Sequence, residues 1–238
     1  MSVSDLSAST QDYLKAIWEL EEWSDRPATT SMIAKALGVK QSTVSDTVRK
    51  LADQELVSHK RYGSVQLTEQ GRAHAVQMVR RHRLIETFLV QVLDYSWDEV
   101  HDEAEQLEHA VSDLLVERVA ALLHRQTRAP HGDPIPAADG SIHAPDAVTL
   151  STVEPGSDVV IERISDDDPE LLRFLHAHGL NVGSHLHVAE GAPFSGAVEV
   201  QNAADGVIIP LGRAATDAVY VSAPGHAPAP AAQKGTRV

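Results

Sequence analysis

The sequence contains no cysteine among its 238 residues. Disulfide bonds, thiolate metal sites and cysteine nucleophiles are therefore excluded, so any metal ion must be held by histidine, carboxylate, amide or backbone ligands. No apolar run approaches the roughly 20 residues of a membrane span, and the first residues show neither a basic region nor an apolar signal segment. These absences predict a cytoplasmic protein, and they make its 13 histidines informative.

Basic residues are also scarce, and the formal net charge is −14 at pH 7. This excess of acid argues against nucleic acid as a partner, because a DNA-binding surface must neutralise phosphates. Basic side chains nevertheless concentrate between Lys40 and Arg83, whereas acidic ones crowd residues 98–108 and 166–170. Such a distribution is typical of a regulated DNA-binding protein, since bound cations would reduce the self-repulsion of the acidic part.

The first part of the chain has the pattern of a winged helix-turn-helix. Apolar residues recur at helical spacing over residues 9–23, with Ser9 or Thr10 as the N-cap. Two shorter helices, over residues 30–37 and 42–54, flank a turn that contains Gly38 and so predict a helix-turn-helix. Two alternating segments follow, at residues 56–60 and 64–68, and predict the hairpin that forms the wing.

The remainder divides into a helical part and a β-rich part. Helices are expected over residues 68–93 and 97–123, and they are long enough to form a dimer interface. A proline-rich stretch then predicts a linker with some ordered turns. Short strands predict a small barrel; they are expected at residues 148–153, 158–164, 184–189, 197–201, 206–210 and 218–221, with one helix over 169–178. The tail from residue 224 is predicted to be disordered.

The second helix of the helix-turn-helix carries short polar side chains on its first turn, where base edges are reached, with basic groups nearby for phosphates. The expected groove-facing residues are Gln41, Ser42, Thr43, Ser45 and Asp46. The expected backbone contacts are Lys40, Arg49 and Lys50, with Lys60 and Arg61 on the wing. Taken singly, Ser42 is better explained as an N-cap, and Arg49 and Lys50 are better explained as a solvated face. The order helix, turn, helix and basic hairpin favours DNA binding.

Histidine and glutamate recur together on the later helices. His101, Glu105, Glu108 and His109 have the i, i+4, i+7, i+8 spacing of one helix face, and His82 and Glu86 form an i, i+4 pair on the preceding helix. Carboxylates this close repel one another unless a cation or protons intervene, which indicates a divalent metal site. Asp12, near the start of the first helix, is a further candidate ligand. The alternative is an ordinary solvated acidic face.

These residues resemble the diphtheria-toxin-repressor family of metal-dependent regulators, especially its manganese-responsive branch. The resemblance covers residues 10–15, 33–51, 81–86, 100–109 and 130–136. It implies a mainly α chain with an α+β part: an N-terminal winged helix-turn-helix, a helical dimerisation domain and a C-terminal SH3-like small β-barrel. The corresponding boundaries are residues 1–73, 74–124 and 148–222, with a linker at 125–147 and a tail at 223–238. A homodimer on a palindromic double-stranded operator and two metal sites per subunit are also implied.

Carried over by resemblance, the primary site comprises Asp12, Glu105, Glu108 and His109. The ancillary site comprises His82, Glu86 and His101, and Asp166 and Glu170 are candidate donors from the C-terminal domain. Iron-sensing members resemble this chain but have Met and Cys at the positions of Asp12 and Glu105; hard oxygen donors there suit Mn²⁺ better. Among the divalent ions from Mn²⁺ to Zn²⁺, a given set of protein ligands binds Mn²⁺ most weakly. Fe²⁺ or Co²⁺ can therefore substitute in vitro.

Lys15 and residues 166–170 each bear on how many metal ions the chain binds and through which residues. A manganese member of the short type has Glu at the position of Lys15, which speaks against a binuclear site of that kind in this chain. Residues 166–170 are equally explained as a solvated acidic N-terminus for a helix that begins at Pro169.

The sequence thus predicts a manganese-dependent transcriptional repressor rather than an enzyme, with the metal as co-repressor. An iron-dependent repressor of the same family is the first alternative. A metallo-phosphohydrolase is a second, because His101 and Asp102 form a His-Asp dipeptide, although Asp102 turns about 100° away on a helix. A winged-helix regulator that responds to an organic ligand is a third.

Overall fold

A computed structural model of the chain describes residues 2–23, 27–59, 64–192 and 194–222. These residues form two compact units, each built from three stretches of the chain. The first unit contains residues up to 88 together with 103–127 and 135–142, and the second contains 89–102, 128–134 and 143 onward. Within the described ranges, no helix has the length and apolar character needed to cross a membrane.

The N-terminal helices form the predicted helix-turn-helix. Helix α1 spans Ala8–Glu22, α2 spans Thr30–Ala36 and α3 spans Gln41–Asp53. The predicted caps of α1 are wrong by two or three residues, because Ser7 is the N-cap and its hydroxyl accepts a hydrogen bond from the Thr10 N–H. Gly38 has φ +64°, the left-handed conformation that the turn between α2 and α3 requires and that glycine adopts without strain.

A short antiparallel hairpin follows, with β1 at Val57–His59 and β2 at Val65–Leu67. The predicted wing tip, including Lys60 and Arg61, lies outside the described residues. Apolar faces of α1, α3, the hairpin and the next helix share one core, in which Leu14, Ile17 and Leu51 are essentially fully buried. Each such side chain contributes roughly 1.5–3 kcal/mol on burial, so the core fixes α1 against its neighbours.

Three further helices follow. Helix α4 spans Glu69–Leu93, α5 spans Val100–Leu107 and α6 spans Asp113–Leu122, and α4 and α5 each have residues in both units. The single helix predicted over residues 97–123 is therefore wrong. Ser112 caps α6 by accepting the Leu115 N–H, and a turn separates α5 from α6. Glu108 and His109 consequently lie on this turn, directly after α5.

The second unit is built on a six-stranded antiparallel sheet. Its strands are β3 (Ala147–Thr149), β4 (Asp158–Ile164), β5 (His185–Glu190), β6 (Val198–Asn202), β7 (Ile208–Leu211) and β8 (Val219–Ser222). Their order is β3-β8-β4-β5-β6-β7, and each predicted strand matches one of them within a few residues. Helix α7 (Pro169–Ala177) was predicted, whereas α8 (Arg213–Ala218) was not. The predicted fold class is confirmed.

The proline-rich stretch contains ordered turns, as predicted, and contributes to both units. Residues 128–134 belong to the second unit, where Arg128 and Pro134 form an isolated antiparallel bridge. Gly132 has φ +97°, and a Cβ there would lie 2.1 Å from the Glu162 carbonyl oxygen. Only glycine fits this approach, which places the preceding His131 in the interior of the unit.

Candidate metal centre

Three of the predicted primary ligands lie together in the first unit. Asp12 comes from the first turns of α1, and Glu108 and His109 come from the turn after α5. Their ligand atoms all lie within 4.8 Å of one another. His109 Nε2 is 2.9 Å from Asp12 Oδ1 and 3.8 Å from Glu108 Oε1. Two elements far apart in sequence therefore present two carboxylates and one imidazole to the same point.

The surroundings of the Asp12 carboxylate bear on whether this point can hold a cation. Burial raises the pKa of Asp12; Glu105 and Glu108 raise it further, while His109 and Lys15 lower it. The carboxylate is therefore held where its charged form is disfavoured. A divalent ion would relieve this repulsion, and oxygen and imidazole donors are the ligands that manganese and related ions accept. The residues fit such an ion.

The fourth predicted primary ligand, Glu105, lies in a neighbouring group with His82 and Glu108, whose ligand atoms also lie within 4.8 Å of one another. The ammonium of Lys15 occupies this group. It donates to Glu105 and to both carboxylate oxygens of Glu108, each of these last two at 3.0 Å, and lies 3.0 Å from His82 Nδ1. Burial lowers the pKa of Lys15, but Glu19, Glu108 and Glu105 more than offset this and raise it.

His82 connects this group to a further carboxylate on α4. Its Nδ1 lies 2.6 Å from Glu108 Oε2 and its Nε2 lies 3.1 Å from Glu86 Oε1. Burial and Lys15 lower the pKa of His82, yet Glu86 and Glu108 outweigh them and raise it to about 9. The imidazole is therefore charged at neutral pH, and it must release a proton before either nitrogen can bind a metal.

Gln11 fixes the orientation of the candidate ligand His109. Its amide nitrogen donates to two backbone carbonyls, of Val3 at 2.8 Å and of Leu6 at 3.1 Å, so its oxygen must face the imidazole. That oxygen lies 2.7 Å from His109 Nδ1. Because an amide oxygen only accepts, Nδ1 carries the proton, and Nε2 is directed toward Asp12. Hydrogen bonds of this kind set the tautomer of metal-binding histidines.

Replacing Gln11 by Leu is expected to weaken metal binding roughly 10- to 100-fold, the usual effect of losing such an outer hydrogen bond. Gln11→Glu keeps an acceptor for His109 but loses both hydrogen bonds to the carbonyls of Val3 and Leu6, so we expect its affinity to lie between those of Gln11→Leu and the unaltered protein. Competition with a fluorescent chelator measures the affinity, and the ¹⁵N shifts of the His109 ring report its tautomer. Equal affinity and an unchanged tautomer in Gln11→Leu would remove Gln11 from this role.

The second unit brings a separate pair of metal-ligating side chains together. His101 Nδ1, on α5, lies 3.3 Å from Asp166 Oδ2, which follows β4. Burial raises the pKa of Asp166, but the hydrogen bond from His101 and the nearby His131 and Arg163 hold it well below its usual range. His131 Nε2 is 3.0 Å from the Trp97 carbonyl oxygen, and its buried Nδ1 has no hydrogen-bond partner among the described residues.

Glu170 is placed differently from Asp166. Its side chain is exposed on the first turn of α7, where Asp168 is the N-cap and accepts the Glu170 and Leu171 N–H groups. Asp168 and Glu170 thus match the alternative interpretation, an acidic helix N-terminus. Asp166, in contrast, contacts the imidazole of His101. Glu170 is in none of the candidate ligand groups of the described chain.

The predicted DNA-reading surface is exposed along α3. Lys40, Gln41, Ser42, Thr43, Ser45, Asp46, Arg49 and Lys50 are all exposed, while Val44, Val48 and Leu51 face the core. Some of these polar groups have local partners: Arg49 pairs with Asp46 at 3.2 Å, and Gln41 donates to Thr30. The exposed turn therefore presents the short polar side chains on which base contacts depend.

The basic stretch identified in the sequence is not a single surface. Arg80 pairs with Glu117, Arg81 with Asp113, and Arg83 with Glu22. Arg81 also donates to the Glu108 carbonyl oxygen at 3.1 Å, which holds the turn after α5. These three arginines are paired within the first unit, whereas Lys40, Arg49 and Lys50 around α3 are exposed and are the candidates for phosphate contacts among the described residues.

Three residues at these sites were not among the predicted site residues. Gln11 and Lys15 lie four residues apart on the buried face of α1, where polar side chains need partners, and that spacing is the signal that identifies them. His131 lies in the stretch predicted as a linker. The signal that could have identified it is its place in residues 130–136, one of the stretches that carry the family resemblance.

Comparison with known proteins places these sites in context. Three family descriptions match: the N-terminal DNA binding domain of iron dependent repressors over residues 5–65, their metal binding and dimerisation domain over 68–137, and the FeoA domain over 148–223. The matched repressor domains cover α1–α6, and the FeoA domain covers the six-stranded sheet. They favour a regulator and set the metallo-phosphohydrolase alternative aside.

The chain is similar to the diphtheria toxin repressor of Corynebacterium jeikeium, with 38% identity over 57% of this chain and 56% of that protein. It thus spans a little over half of that relative. It is also similar to the iron-dependent repressor IdeR of Mycobacterium leprae, with 34% identity over 69% of this chain and 77% of that one. A solved manganese-dependent transcriptional repressor in complex with manganese matches with 49% identity and a TM-score of 0.86, over 90% of this chain and 99% of that one.

Proposed function

The chain belongs to the diphtheria toxin repressor family of metal-dependent transcriptional regulators, and from that membership we propose that it is a manganese-dependent repressor. In this proposal Mn²⁺ is the co-repressor and the chain binds a palindromic operator as a homodimer in the cytoplasm. The observation that carries the proposal is the convergence of Asp12, Glu108 and His109 on one point. A divalent ion, when bound there, supplies positive charge between the buried carboxylate of Glu108 and the partly exposed carboxylate of Asp12.

The donor set favours manganese over softer ions. Asp12, Glu105 and Glu108 offer only carboxylate oxygens, His109 offers an imidazole nitrogen, and the chain has no cysteine. Hard oxygen donors suit Mn²⁺, although selection must rest on geometry and availability because affinity alone favours the later metals. A similar solved repressor is in complex with manganese, whereas the similar IdeR is iron-dependent. An iron-dependent repressor is therefore the alternative to test.

We propose a second, ancillary metal site in each subunit. Each of the two compact units contains a pair of side chains that could donate ligands to it. In the first unit, His82 and Glu86 form a buried pair at 3.1 Å. In the second, His101 and Asp166 form a pair with His131 nearby. The grouping of His82, Glu86 and His101 in one site remains a prediction, as does a contribution from Glu170.

Residues of α1 and the turn after α5 connect the metal site to the DNA-binding element. Asp12 is on α1, whose apolar face shares a core with α3, and His109 is on the turn that Arg81 holds. Drawing Asp12 toward Glu108 and His109 therefore fixes α1, and through their shared core it fixes α3. In a dimer, this sets the spacing of the two recognition helices, which must match two half-sites.

An exposed apolar face on α6 supports the homodimer. Leu114, Leu115 and Leu122 are 66%, 47% and 55% exposed, on a helix whose other face is buried through Val116 and Val119. A cluster of exposed leucines usually marks a surface that binds another protein, because soluble proteins rarely leave such apolar patches in contact with water. The matched dimerisation domain includes this helix, so a second copy of the chain is the proposed partner.

Operator binding at fixed salt tests the proposal. A preferred duplex is first selected from a random library in Mn²⁺, and its affinity is then measured with Mn²⁺, Fe²⁺, Co²⁺ or Zn²⁺ and with EDTA. We expect Mn²⁺ to tighten binding by about 5- to 150-fold, the usual range of coupling between two sites. Salt must be held constant, because phosphate contacts make affinity strongly salt-dependent. Tight binding in EDTA would contradict metal dependence, and activation by Fe²⁺ alone would favour the iron-dependent alternative.

A further inference from the structure

The ammonium of Lys15 lies where a metal ion could lie. His82, Glu105 and Glu108 present three ligand atoms within 4.8 Å of one another, the spacing expected around a bound cation. Lys15 Nζ contacts all three side chains. A metal ion bound to the same three atoms and the ammonium cannot share this space. The group is therefore already filled by a cation that belongs to the chain.

We propose that Lys15 is a tethered cation that takes the place of a second metal ion among His82, Glu105 and Glu108. The cluster around Glu108 then holds one divalent ion, bound through Asp12, Glu108 and His109, and Lys15 determines this stoichiometry. The inference rests on the proposed function, since it assumes that the first ion binds. It concerns the number of ions, whereas the proposed function concerns their effect on DNA binding.

The balance of charge supports one ion rather than two. Asp12, Glu105 and Glu108 together carry three negative charges, and Glu19 adds a fourth near Lys15. One ammonium and one divalent ion offset three of these charges. A second divalent ion beside Lys15 would turn the balance positive, and uncompensated positive charge is costly beside a fully buried carboxylate such as that of Glu108. Removing Lys15 restores the need for another cation.

The packing of Lys15 keeps the ammonium in place. Its side chain is 5% exposed, and it contacts Glu108, whose side chain is fully buried, so the Lys15 side chain lies in the interior of the unit. Lys15 lies one turn after Asp12 on α1, and its neighbours Leu14 and Trp18 are buried in the core. The same rigid helix thus supplies a ligand for the first ion and the cation that replaces the second.

Counting manganese tests this directly. Mn²⁺ bound per chain is measured by equilibrium dialysis with metal analysis for the full-length protein, for Lys15→Gln and for Lys35→Gln. Lys35 is exposed on α2, so the control makes the same change of charge away from the carboxylates. We expect Lys15→Gln to bind one ion more per chain than the unaltered protein, and Lys35→Gln to bind the same number.

Electron paramagnetic resonance gives an independent readout. Because Glu108 belongs to both ligand groups, two ions there would share its carboxylate and lie close enough for their spins to couple. We expect a coupled Mn²⁺ pair only in Lys15→Gln, and uncoupled ions in the unaltered protein and in Lys15→Arg, which keeps the charge. A coupled pair in the unaltered protein would overturn the proposal even if Lys15→Gln does not fold.

The remaining outcomes separate this inference from the proposed function. An unchanged ion count in folded Lys15→Gln overturns the tethered-cation role, whatever the effect of Mn²⁺ on DNA binding. An extra ion in Lys15→Arg also overturns it, because the charge is retained there. If the unaltered protein binds no Mn²⁺, the proposed function fails instead. His109→Ala should lose one ion from the unaltered count, which identifies the first site.

Discussion

Glu108→Gln is expected to lower the free energy of unfolding by about 3–5 kcal/mol in metal-free buffer, the usual loss when one partner of a buried ion pair is removed. The Glu108 side chain is fully buried and lies 3.0 Å from Lys15 Nζ and 2.6 Å from His82 Nδ1. Glutamine has nearly the same shape but no charge, so two buried cations lose their common partner. Urea denaturation with EDTA present measures the loss.

Glu105→Gln is the matched control. Glu105 makes the same kind of contact with Lys15 and lies one turn before Glu108, but its side chain is 40% exposed. Water screens an exposed carboxylate, so we expect a loss of at most about 1 kcal/mol. Equal losses in the two variants would show that burial does not set the strength of these ion pairs.

The pH dependence of stability provides a second measure of the Glu108 effect. Burial raises the pKa of Glu108, but His82 and Lys15 lower it overall, so its contribution exists above the ordinary carboxyl pKa and is lost as the pH falls. The pKa of His82 is raised to about 9, so its contribution is complete below about 6.5 and is lost as the pH rises through about 9. Glu108→Gln should flatten both limbs, since Glu108 acts on both groups.

Regular patterning made most of the fold predictable. The strands of the second unit alternate or are continuously apolar, and each was predicted nearly in place, while the helix-turn-helix followed from apolar spacing and Gly38. The break between α5 and α6 was missed because His, Glu and Ala continue a helical pattern through it. The decisive signal is local: the Ser112 side chain offers α6 a cap.

The candidate ligands could be named from residue type and helical spacing, but their grouping could not. Helical spacing placed His101, Glu105, Glu108 and His109 on one face, yet the structure groups Glu108 with both Asp12 and Glu105 and pairs His101 with Asp166. These groupings depend on the Lys15 ammonium and on contacts between residues about 90 positions apart. No local sequence pattern encodes such contacts. The sequence alone therefore cannot show whether these side chains form one metal site or two neighbouring groups that share Glu108.

His109→Ala is expected to abolish the dependence of operator binding on Mn²⁺. Without its imidazole, Asp12 and Glu108 retain two carboxylates but lose the group whose Nε2 lies 2.9 Å from Asp12. The gain of about 5- to 150-fold expected from Mn²⁺ should disappear, while the affinity in EDTA should stay near that of the unaltered protein. Fluorescence anisotropy with labelled operator measures both. His143→Ala, a change at an exposed histidine outside the ligand groups, should keep the full gain.

The same coupling must appear in the opposite direction. If Mn²⁺ tightens operator binding by some factor, the operator must tighten Mn²⁺ binding by that factor, because both steps close one thermodynamic cycle. Chelator competition with and without operator measures it in the unaltered protein and in His109→Ala. A metal-dependent gain in DNA affinity with no reciprocal gain in metal affinity would mean that the ion acts on the DNA itself. Equal factors, lost together in His109→Ala, would assign the coupling to the ion held by Asp12, Glu108 and His109.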